Sequence, residues 1–315
     1  MSSNTAGVDC AFYESVDRNA CPGGAEESTG GGGGGGNACF SERTTVQVKG
    51  KGTVSMKNVQ VGDYVMSSPQ GDTYVYDQVY ALGHYDPDTK TEFLQVSTDN
   101  GHQVELTKEH LIYLEGKNHP ARADSIKIGD VLQSQDAING VKVIHIKKVQ
   151  RKGLYAPMTT SGTLLVDGIK ASSYIALQKN TAEYVEIQSG LSTGLSHHSL
   201  VHIVSTPFRL FCQTFPDSER LCQPCREFSG MPAFVFRGLR FADWVDQQHG
   251  LVQSILFIGI MLLFGSIYAS EYILKTIPWV PISIILLLGV GCNLLSRLRK
   301  KLGRKGCTSN KCKTV

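Results

Sequence analysis

An unbroken run of seven glycines, Gly30 to Gly36, comes just before Cys39 and a stretch of β-branched residues. A glycine run cannot bury enough apolar surface to order itself, so it is predicted to be a flexible, solvated tether. The composition then changes to the alternation of a strand at Thr45–Val48, which indicates that a folded domain begins here. Cys39 is therefore predicted to be the first residue of a domain, in the right place to attack the Ala38–Cys39 peptide bond.

The composition of the 315 residues allows about two domains and an ordinary core, since 41% of the residues are apolar. The net charge of +3 is too small to indicate nucleic acid, and no nucleic-acid partner is predicted. The nine cysteines are odd in number and scattered, which argues against a disulfide-stapled secreted domain. The first thirty residues lack the pattern of a signal peptide, so either none is needed or the true N-terminus lies upstream of Met1.

Short alternating runs separated by Gly, Asp, Asn and Pro turns predict an all-β domain over residues 39–178. Parts of this domain repeat. The segment Lys57–Val65 matches Ala123–Leu132, and each contains a Gly-Asp turn ahead of a strand, while Gly101–Leu106 is more loosely echoed by Gly162–Val166. Two similar halves about 67 residues apart predict a pseudo-twofold β domain made by duplication.

These patterns divide the chain into a disordered, glycine-rich leader (1–38), the β domain (39–178), an accessory region of unclear fold (179–250), two transmembrane helices (251–296) and a basic tail (297–315). The accessory region contains a group of potential metal ligands, namely His197, His198, His202, Cys212, Cys222 and Cys225. A zinc site is one reading of this group. Because only one Cys-x-x-Cys pair is present, free thiols or a local disulfide are predicted instead, with no metal and no cofactor.

Two apolar segments near the C-terminus are each about long enough to cross a bilayer as a helix. Leu251–Ala269 has nineteen residues and Pro278–Leu295 has eighteen, all without charge. The short link Ser270–Ile277 predicts a helical hairpin, and the eight basic residues of the tail place the C-terminus in the cytoplasm by the positive-inside rule. The protein is predicted to be membrane-bound, with the lipid bilayer as a partner. A hairpin would leave the β domain in the cytoplasm, whereas a luminal domain would need an upstream signal or a single span.

Cleavage of a peptide bond from within the chain needs a nucleophile, a proton donor for the departing nitrogen and donors that stabilise the tetrahedral oxyanion. Cys39 suits the first role, because its thiol can take the acyl group from nitrogen and form a reactive thioester. His110 suits the second, because histidine can both accept and donate a proton near neutral pH. It follows Thr107 by three residues, and the threonine hydroxyl can hold the amide of the scissile bond.

Four blocks occur in the order found in the Hint module, the self-processing domain shared by inteins and the C-terminal half of hedgehog proteins. They are Cys39-Phe40, Gly62–Val65, Thr107-x-x-His110 and Gly162–Tyr174. The chain resembles the hedgehog branch more than the inteins. The resemblance covers about 140 residues and implies a mainly β, pseudo-twofold horseshoe fold. It also implies intramolecular autoprocessing through a thioester at Cys39, assisted by Thr107 and His110.

Two departures from the hedgehog pattern concern the second step of this reaction. Ser173 stands where hedgehog proteins usually have a cysteine, and His84 aligns with an aspartate thought to activate the incoming sterol. Asp86 and Asp88 lie nearby and could replace that aspartate if the loop shifts. The chain also lacks the Asn-Cys or Asn-Ser junction that intein splicing requires, so splicing is not predicted. The thioester is expected to be resolved by water, a thiol, a lipid alcohol such as a sterol, or another acceptor, with release of residues 1–38.

The alternative to self-cleavage is an inactive Hint-like domain that serves as a membrane-anchored binding or display module. The joint presence of Cys39, Thr107 and His110 favours activity, because a relic has no physical reason to keep all three. Ser173 and His84 favour the relic. The ability of Cys39 to form a thioester separates the two hypotheses.

Overall fold

The computed structural model describes residues 39–70, 73–135, 139–178, 183–187, 191–215, 218, 221–224 and 228–276. The glycine-rich leader with Ala38, the apolar segment Pro278–Leu295, the basic tail and Cys225 lie outside the described residues. The expectations for these parts therefore stay predictions.

One antiparallel sheet of eleven strands occupies the described part of residues 39–178. The strands are β1 (Thr45–Val48), β2 (Gly52–Ser55), β3 (Tyr64–Gln70), β4 (Thr73–Thr98), β5 (Gln103–Leu106), β6 (His110–Ile112), β7 (Ala121–Arg122), β8 (Val131–Leu132), β9 (Val141–Thr159), β10 (Thr163–Val166) and β11 (Ile169–Ile175). Their order is β7-β6-β11-β10-β1-β3-β4-β9-β8, with β2 beside β1 and β5 beside β4. The prediction of a mainly β domain is confirmed.

The first residues of the domain pack against the long pair of strands β4 and β9. These strands have 26 and 19 residues, and they pair from Val79↔Thr159 to Thr98↔Val143. Phe40 forms bridges to Tyr155 of β9 and to Leu106 of β5, and all three side chains are buried in the largest core cluster. Because the residue next to Cys39 is an integral part of the core, the position of Cys39 is set by the packing of the whole domain.

The internal repeat seen in the sequence is also present in the hydrogen bonds. In the first half, the Gly62-Asp63 turn exchanges two backbone bonds with Val79, at 2.8 Å to the carbonyl and 2.7 Å from the amide. In the second half, the Gly129-Asp130 turn exchanges the equivalent bonds with Val143, both at 2.8 Å. Both glycines have a positive φ, 93° and 100°, which only glycine adopts without strain. The two halves therefore share one local design.

The accessory region folds as a hairpin followed by helices, an arrangement that its composition did not predict. Its elements are β12 (Tyr184–Ile187), β13 (Leu191–Ser196), α1 (His197–Val204), α2 (Thr206–Thr214) and α3 (Ala233–Asp246). Cys212 of α2 forms a disulfide with Cys222, and both pack with Tyr80, Met158 and Tyr174 in a second core cluster. The disulfide thus helps to hold α2 against the β domain.

One long apolar helix, α4 (Gly250–Thr276), follows the accessory region. Its segment Gly250–Lys275 has 26 residues and a mean hydropathy of 2.1 in its most apolar window, so it is long and apolar enough to cross a membrane. The helix continues through most of the segment Ser270–Ile277, which the sequence suggested as the link of a hairpin. The expected link is wrong up to Thr276, because these residues are helical. Glu271 and Lys275, one turn apart, pair at 2.6 Å and support this turn of the helix.

Candidate active site

Hydrogen bonds hold Cys39 on both sides of its backbone. The Cys39 amide donates to Thr107 Oγ1 at 3.1 Å, and the Thr107 amide donates to the Cys39 carbonyl at 3.0 Å. The next residue, Phe40, exchanges two backbone bonds with Tyr155, at 2.8 and 3.1 Å. The first nitrogen of the domain, which is the nitrogen of the predicted scissile bond, is therefore fixed by a threonine hydroxyl.

The thiol of Cys39 lies against a histidine. Cys39 Sγ is 3.1 Å from His84 Nδ1, and both side chains are buried. This contact follows from strand pairing, because Phe40 bridges to Tyr155 while His84 pairs with Ala156, the next residue of β9. His84, which the alignment placed at the position of the second-step aspartate, is thus the residue in contact with the thiol.

Burial keeps both partners of this contact neutral. Burial, with a smaller contribution from the charge of Asp86, raises the pKa of the Cys39 thiol well above its ordinary value. Burial also lowers the pKa of His84, although the charge of Asp86 and the backbone of Ser229 oppose the shift. In the tautomer that carries its proton on Nε2, the neutral imidazole has a free lone pair on Nδ1 that accepts the S–H of the neutral thiol. The resting pair is therefore a protonated nucleophile next to an available base.

His110 is buried with one ring nitrogen bonded and the other free. His110 Nε2 is 2.8 Å from the Ser172 carbonyl, and since a carbonyl only accepts, Nε2 carries the proton. Nδ1 is buried and has no hydrogen-bond partner among the described residues. Burial lowers the pKa of His110 to about 4, although the Ser172 carbonyl opposes the shift. The ring lies 4.1 Å from that of Phe40, the residue that follows the nucleophile.

Asp86 and Ser173, the other second-step candidates, use their polar atoms elsewhere. The Asp86 carboxylate accepts bonds from the Asp88 amide at 2.9 Å and from the amide and hydroxyl of Thr89 at 3.1 and 2.6 Å. Burial would raise the pKa of Asp86, but these bonds outweigh it and lower the pKa. Ser173 Oγ accepts from the Thr159 amide at 3.2 Å and lies 3.0 Å from the Thr159 hydroxyl. Asp86 therefore acts on Cys39 through its charge, and Ser173 binds strand β9.

A buried carboxylate near the nucleophile was not found from the sequence. Glu105 accepts a bond from Ser41 Oγ at 2.6 Å and from Gln95 Nε2 at 2.7 Å, and it pairs with Arg151 at 2.9 to 3.0 Å. Hydrogen bonds and the Arg151 charge outweigh burial and lower the pKa of Glu105. Because Ser41 is two residues from Cys39, this network fixes the start of the domain. Its signal in the sequence is a single acidic residue between Val104 and Leu106.

The histidines of the accessory region bind the closing strand of the β domain. His198 Nδ1 is 2.8 Å from Ser172 Oγ, and His202 Nδ1 is 3.0 Å from the Tyr174 hydroxyl. The described residues contain no cluster of three or more His, Cys, Asp or Glu side chains placed to hold a metal ion. These histidines therefore connect α1 to β11, the strand whose Ser172 carbonyl holds His110.

The chain is similar to known proteins. The sequence profile of the family described as "Hint module" matches residues 28–189, just over half of the chain, so the protein belongs to the Hint module family. Within it, the chain is similar to Warthog protein 4 of Caenorhabditis elegans, with 33% identity over 43% of this chain and 28% of that protein. It is also similar to Sonic hedgehog protein of Xenopus laevis, with 30% identity over 62% of this chain and 46% of that protein.

The chain thus spans less than half of the length of these two relatives. Among solved structures, the gp41-1 intein matches 43% of this chain over 98% of its own length, with 19% identity and a TM-score of 0.37. The family and the hydrogen-bonded repeat together assign the mainly β domain to the Hint fold.

Proposed function

We propose that this protein cleaves its own chain at the Ala38–Cys39 bond. The observation that carries the proposal is the contact between Cys39 Sγ and His84 Nδ1, combined with the bond from the Cys39 amide to Thr107. The thiol of Cys39 is the nucleophile and His84 is its base, and the amide nitrogen of the same cysteine is the leaving group. The similarity to Warthog and hedgehog proteins supports the same class of reaction.

In the first step, Cys39 Sγ attacks the carbonyl carbon of Ala38 while its proton moves to His84 Nδ1. The C–S bond forms and the C–N bond breaks, which gives a thioester and a free amine on Cys39. Thr107 holds the nitrogen, which must gain a proton before the C–N bond can break. The proton that left the sulfur reaches it through His110 Nδ1, which carries no proton at rest and can accept and then donate one. Over the whole step the sulfur loses one proton and the nitrogen gains one, so no other reactant is consumed.

In the second step, an acceptor attacks the thioester carbonyl and the Cys39 thiolate leaves. The acceptor is water, a thiol or a lipid alcohol such as a sterol, and its proton passes to the thiolate. His84, at 3.1 Å from the sulfur, is the described side chain best placed to move that proton. The product is residues 1–38 joined to the acceptor, together with a chain that begins at Cys39.

The test compares the full chain with the Cys39→Ala variant, each with and without hydroxylamine, by intact mass. A fragment ending at Ala38 from the parent and none from the variant is the expected result. The mass of the fragment also identifies the acceptor, because water leaves a free acid and a lipid alcohol adds its own mass. A parent chain that stays whole in concentrated hydroxylamine would overturn the proposal.

One observation favours an inactive, membrane-anchored module instead. Cys39 is fully buried, and its raised pKa leaves almost no thiolate at neutral pH. An unreactive thiol would leave the parent intact in the same experiment. Either form carries the candidate membrane helix α4, so the cut would separate the leader from a membrane-bound remainder.

A further inference from the structure

One face of α3 is exposed and combines two kinds of side chain. Arg237, Arg240, Phe241 and Trp244 are exposed and follow one another at helical spacing i, i+3, i+4 and i+7. Phe241 and Trp244 remain 44% and 48% exposed, and their rings stack 5.7 Å apart. This stripe of two cations and two aromatic rings is named the α3 face below.

The first turn of α3 holds the helix on the domain, and the exposed stripe begins after it, at Arg237. Phe234 and Val235 pack against the core cluster that contains the disulfide, and the Phe234 ring stacks on Phe208 of α2 at 4.6 Å. Two acidic residues, Asp243 and Asp246, also lie on α3. By helical periodicity they fall about 110° and 170° from the centre of the stripe, so the α3 face itself carries only positive charge.

The start of α4 is tied directly to the end of α3. Three residues separate the two helices, and buried Gln253 of α4 donates to the carbonyls of Asp246 and Gln248 at 3.1 and 3.0 Å. If α4 enters a bilayer near Gly250, these bonds keep Trp244 within about two helical turns of the entry point. Aromatic rings and arginines are the side chains that bind at the lipid–water interface.

We infer that the α3 face lies on the surface of a bilayer that contains anionic phospholipids. Phe241 and Trp244 insert among the headgroups, and Arg237 and Arg240 bind lipid phosphates. Its charge selects an anionic surface, because each arginine near such a surface adds about fivefold to binding. The inference is independent of self-cleavage, since none of these residues touches Cys39 or its partners.

The experiment uses the full chain reconstituted in vesicles, with Cys39→Ala to prevent processing and Trp279→Phe so that Trp244 is the only tryptophan. Its fluorescence is measured in vesicles whose lipids carry bromine, a quencher, either near the headgroup or deep in the acyl chain. We expect stronger quenching by the shallow bromine. The matched control moves the only tryptophan to an exposed position of the β domain, by combining Tyr64→Trp with Trp244→Phe in the same background. This control should show little quenching.

Charge is tested by Arg237→Gln with Arg240→Gln. In vesicles with phosphatidylserine, the double variant should lose the extra quenching and fall to the level that the parent shows in phosphatidylcholine alone. Trp244 emission that is unquenched at both depths, or equal to that of the Tyr64→Trp control, would overturn the inference. So would quenching that is the same in both lipids, because the arginines would then have no anionic partner.

Discussion

The two halves of the β domain bind β1 and the residues before it in the same way, but only one of these contacts lies at a nucleophile. Thr107 exchanges two bonds with Cys39, at 3.1 Å to its hydroxyl and 3.0 Å from its amide. Asp167 exchanges two with Thr45, at 2.9 Å to its carboxylate and 2.9 Å from its amide. In each half the binding residue directly follows the echoed strand, β5 or β10.

The difference between the halves lies in what surrounds each pair. Three residues after Thr107 comes His110, buried with a free ring nitrogen, whereas three residues after Asp167 comes Lys170, which lies over the ring of Tyr113. The Cys39 pair also has His84 beside it. The duplicated backbone therefore provides two equivalent hydrogen-bonded contacts with an amide. Only the contact at Cys39 has histidines beside it, and under the proposed function these histidines would give it a chemical role.

The largest expected effect comes from removing the base in the first half. His84→Ala should slow hydroxylamine-dependent cleavage at Cys39 about 100-fold, as expected for loss of a general base. The control is His145→Ala, which removes an exposed histidine from β9. Gel densitometry of the two fragments gives the rates. A His84→Ala variant that cleaves as fast as the control would place the base elsewhere.

The next prediction compares the contact between Thr107 and Cys39 with the contact between Asp167 and Thr45. Thr107→Val removes the hydroxyl that holds the scissile amide and should slow cleavage about tenfold, while Thr107→Ser keeps most of the rate. Thr45→Val removes a hydroxyl bond to Asp167 in the second half and should leave the cleavage rate unchanged. Equal effects of Thr107→Val and Thr45→Val on the cleavage rate would mean that both contacts act only through the stability of the domain.

The contact between Asp167 and Thr45 should affect the stability of the domain instead of the cleavage rate. Burial raises the pKa of Asp167 from 3.8 to about 6, so the folded domain holds this proton more tightly than the unfolded chain does. Stability from this residue is therefore complete below its unfolded pKa and is lost as the pH rises through about 6. Asp167→Asn keeps an oxygen that can accept the hydrogen bonds from Thr45. It should raise the free energy of unfolding by about 1 to 2 kcal/mol at pH 7.5, a value already reduced for the partial exposure of the carboxyl.

Urea titrations at pH 7.5 and pH 4 measure this effect. The advantage of Asp167→Asn should shrink toward zero at pH 4, where the carboxyl of the parent is protonated in the folded domain. An advantage of the same size at both pH values would show that ionisation of Asp167 is not its cause.

The smallest expected effect crosses from one half to the other. His198 Nδ1 is hydrogen-bonded to the Ser172 hydroxyl, and the Ser172 carbonyl accepts a bond from His110. His198→Ala should therefore loosen His110 and slow cleavage about threefold. His198→Asn should restore the rate, because the asparagine oxygen can replace Nδ1. The pH at which the rate is half-maximal should move in the alanine variant only, a change that simple loss of packing would not produce.

Sequence alone predicted the features of this comparison that depend on local pattern. The Gly62-Asp63 and Gly129-Asp130 turns are visible because a positive φ demands glycine. The position of His84 came from an ungapped alignment, and strand pairing brings it to Cys39. In contrast, the bond from His110 to Ser172 uses a backbone carbonyl, which every residue possesses and no motif marks.

Contacts between distant segments were the part that the sequence could not provide. The disulfide joins Cys212 to Cys222, although the spacing of Cys222 and Cys225 was the more visible feature. Ser173 was chosen by analogy, yet its neighbour Ser172 is the residue that links His198 to His110. In both cases the outcome depends on how helices pack on the sheet, which local periodicity does not encode.

The hydrogen bond between His110 and Ser172 would make the proposed cleavage depend on the last strand of the sheet. Ser172 belongs to β11, the last strand of the sheet, while Cys39 stands at the beginning of the domain. A chain still emerging from the ribosome has the nucleophile long before it has the strand that sets the proton carrier. Cleavage at Cys39 would therefore take place only after the domain has folded. A chain damaged or truncated before β11 would keep its leader attached.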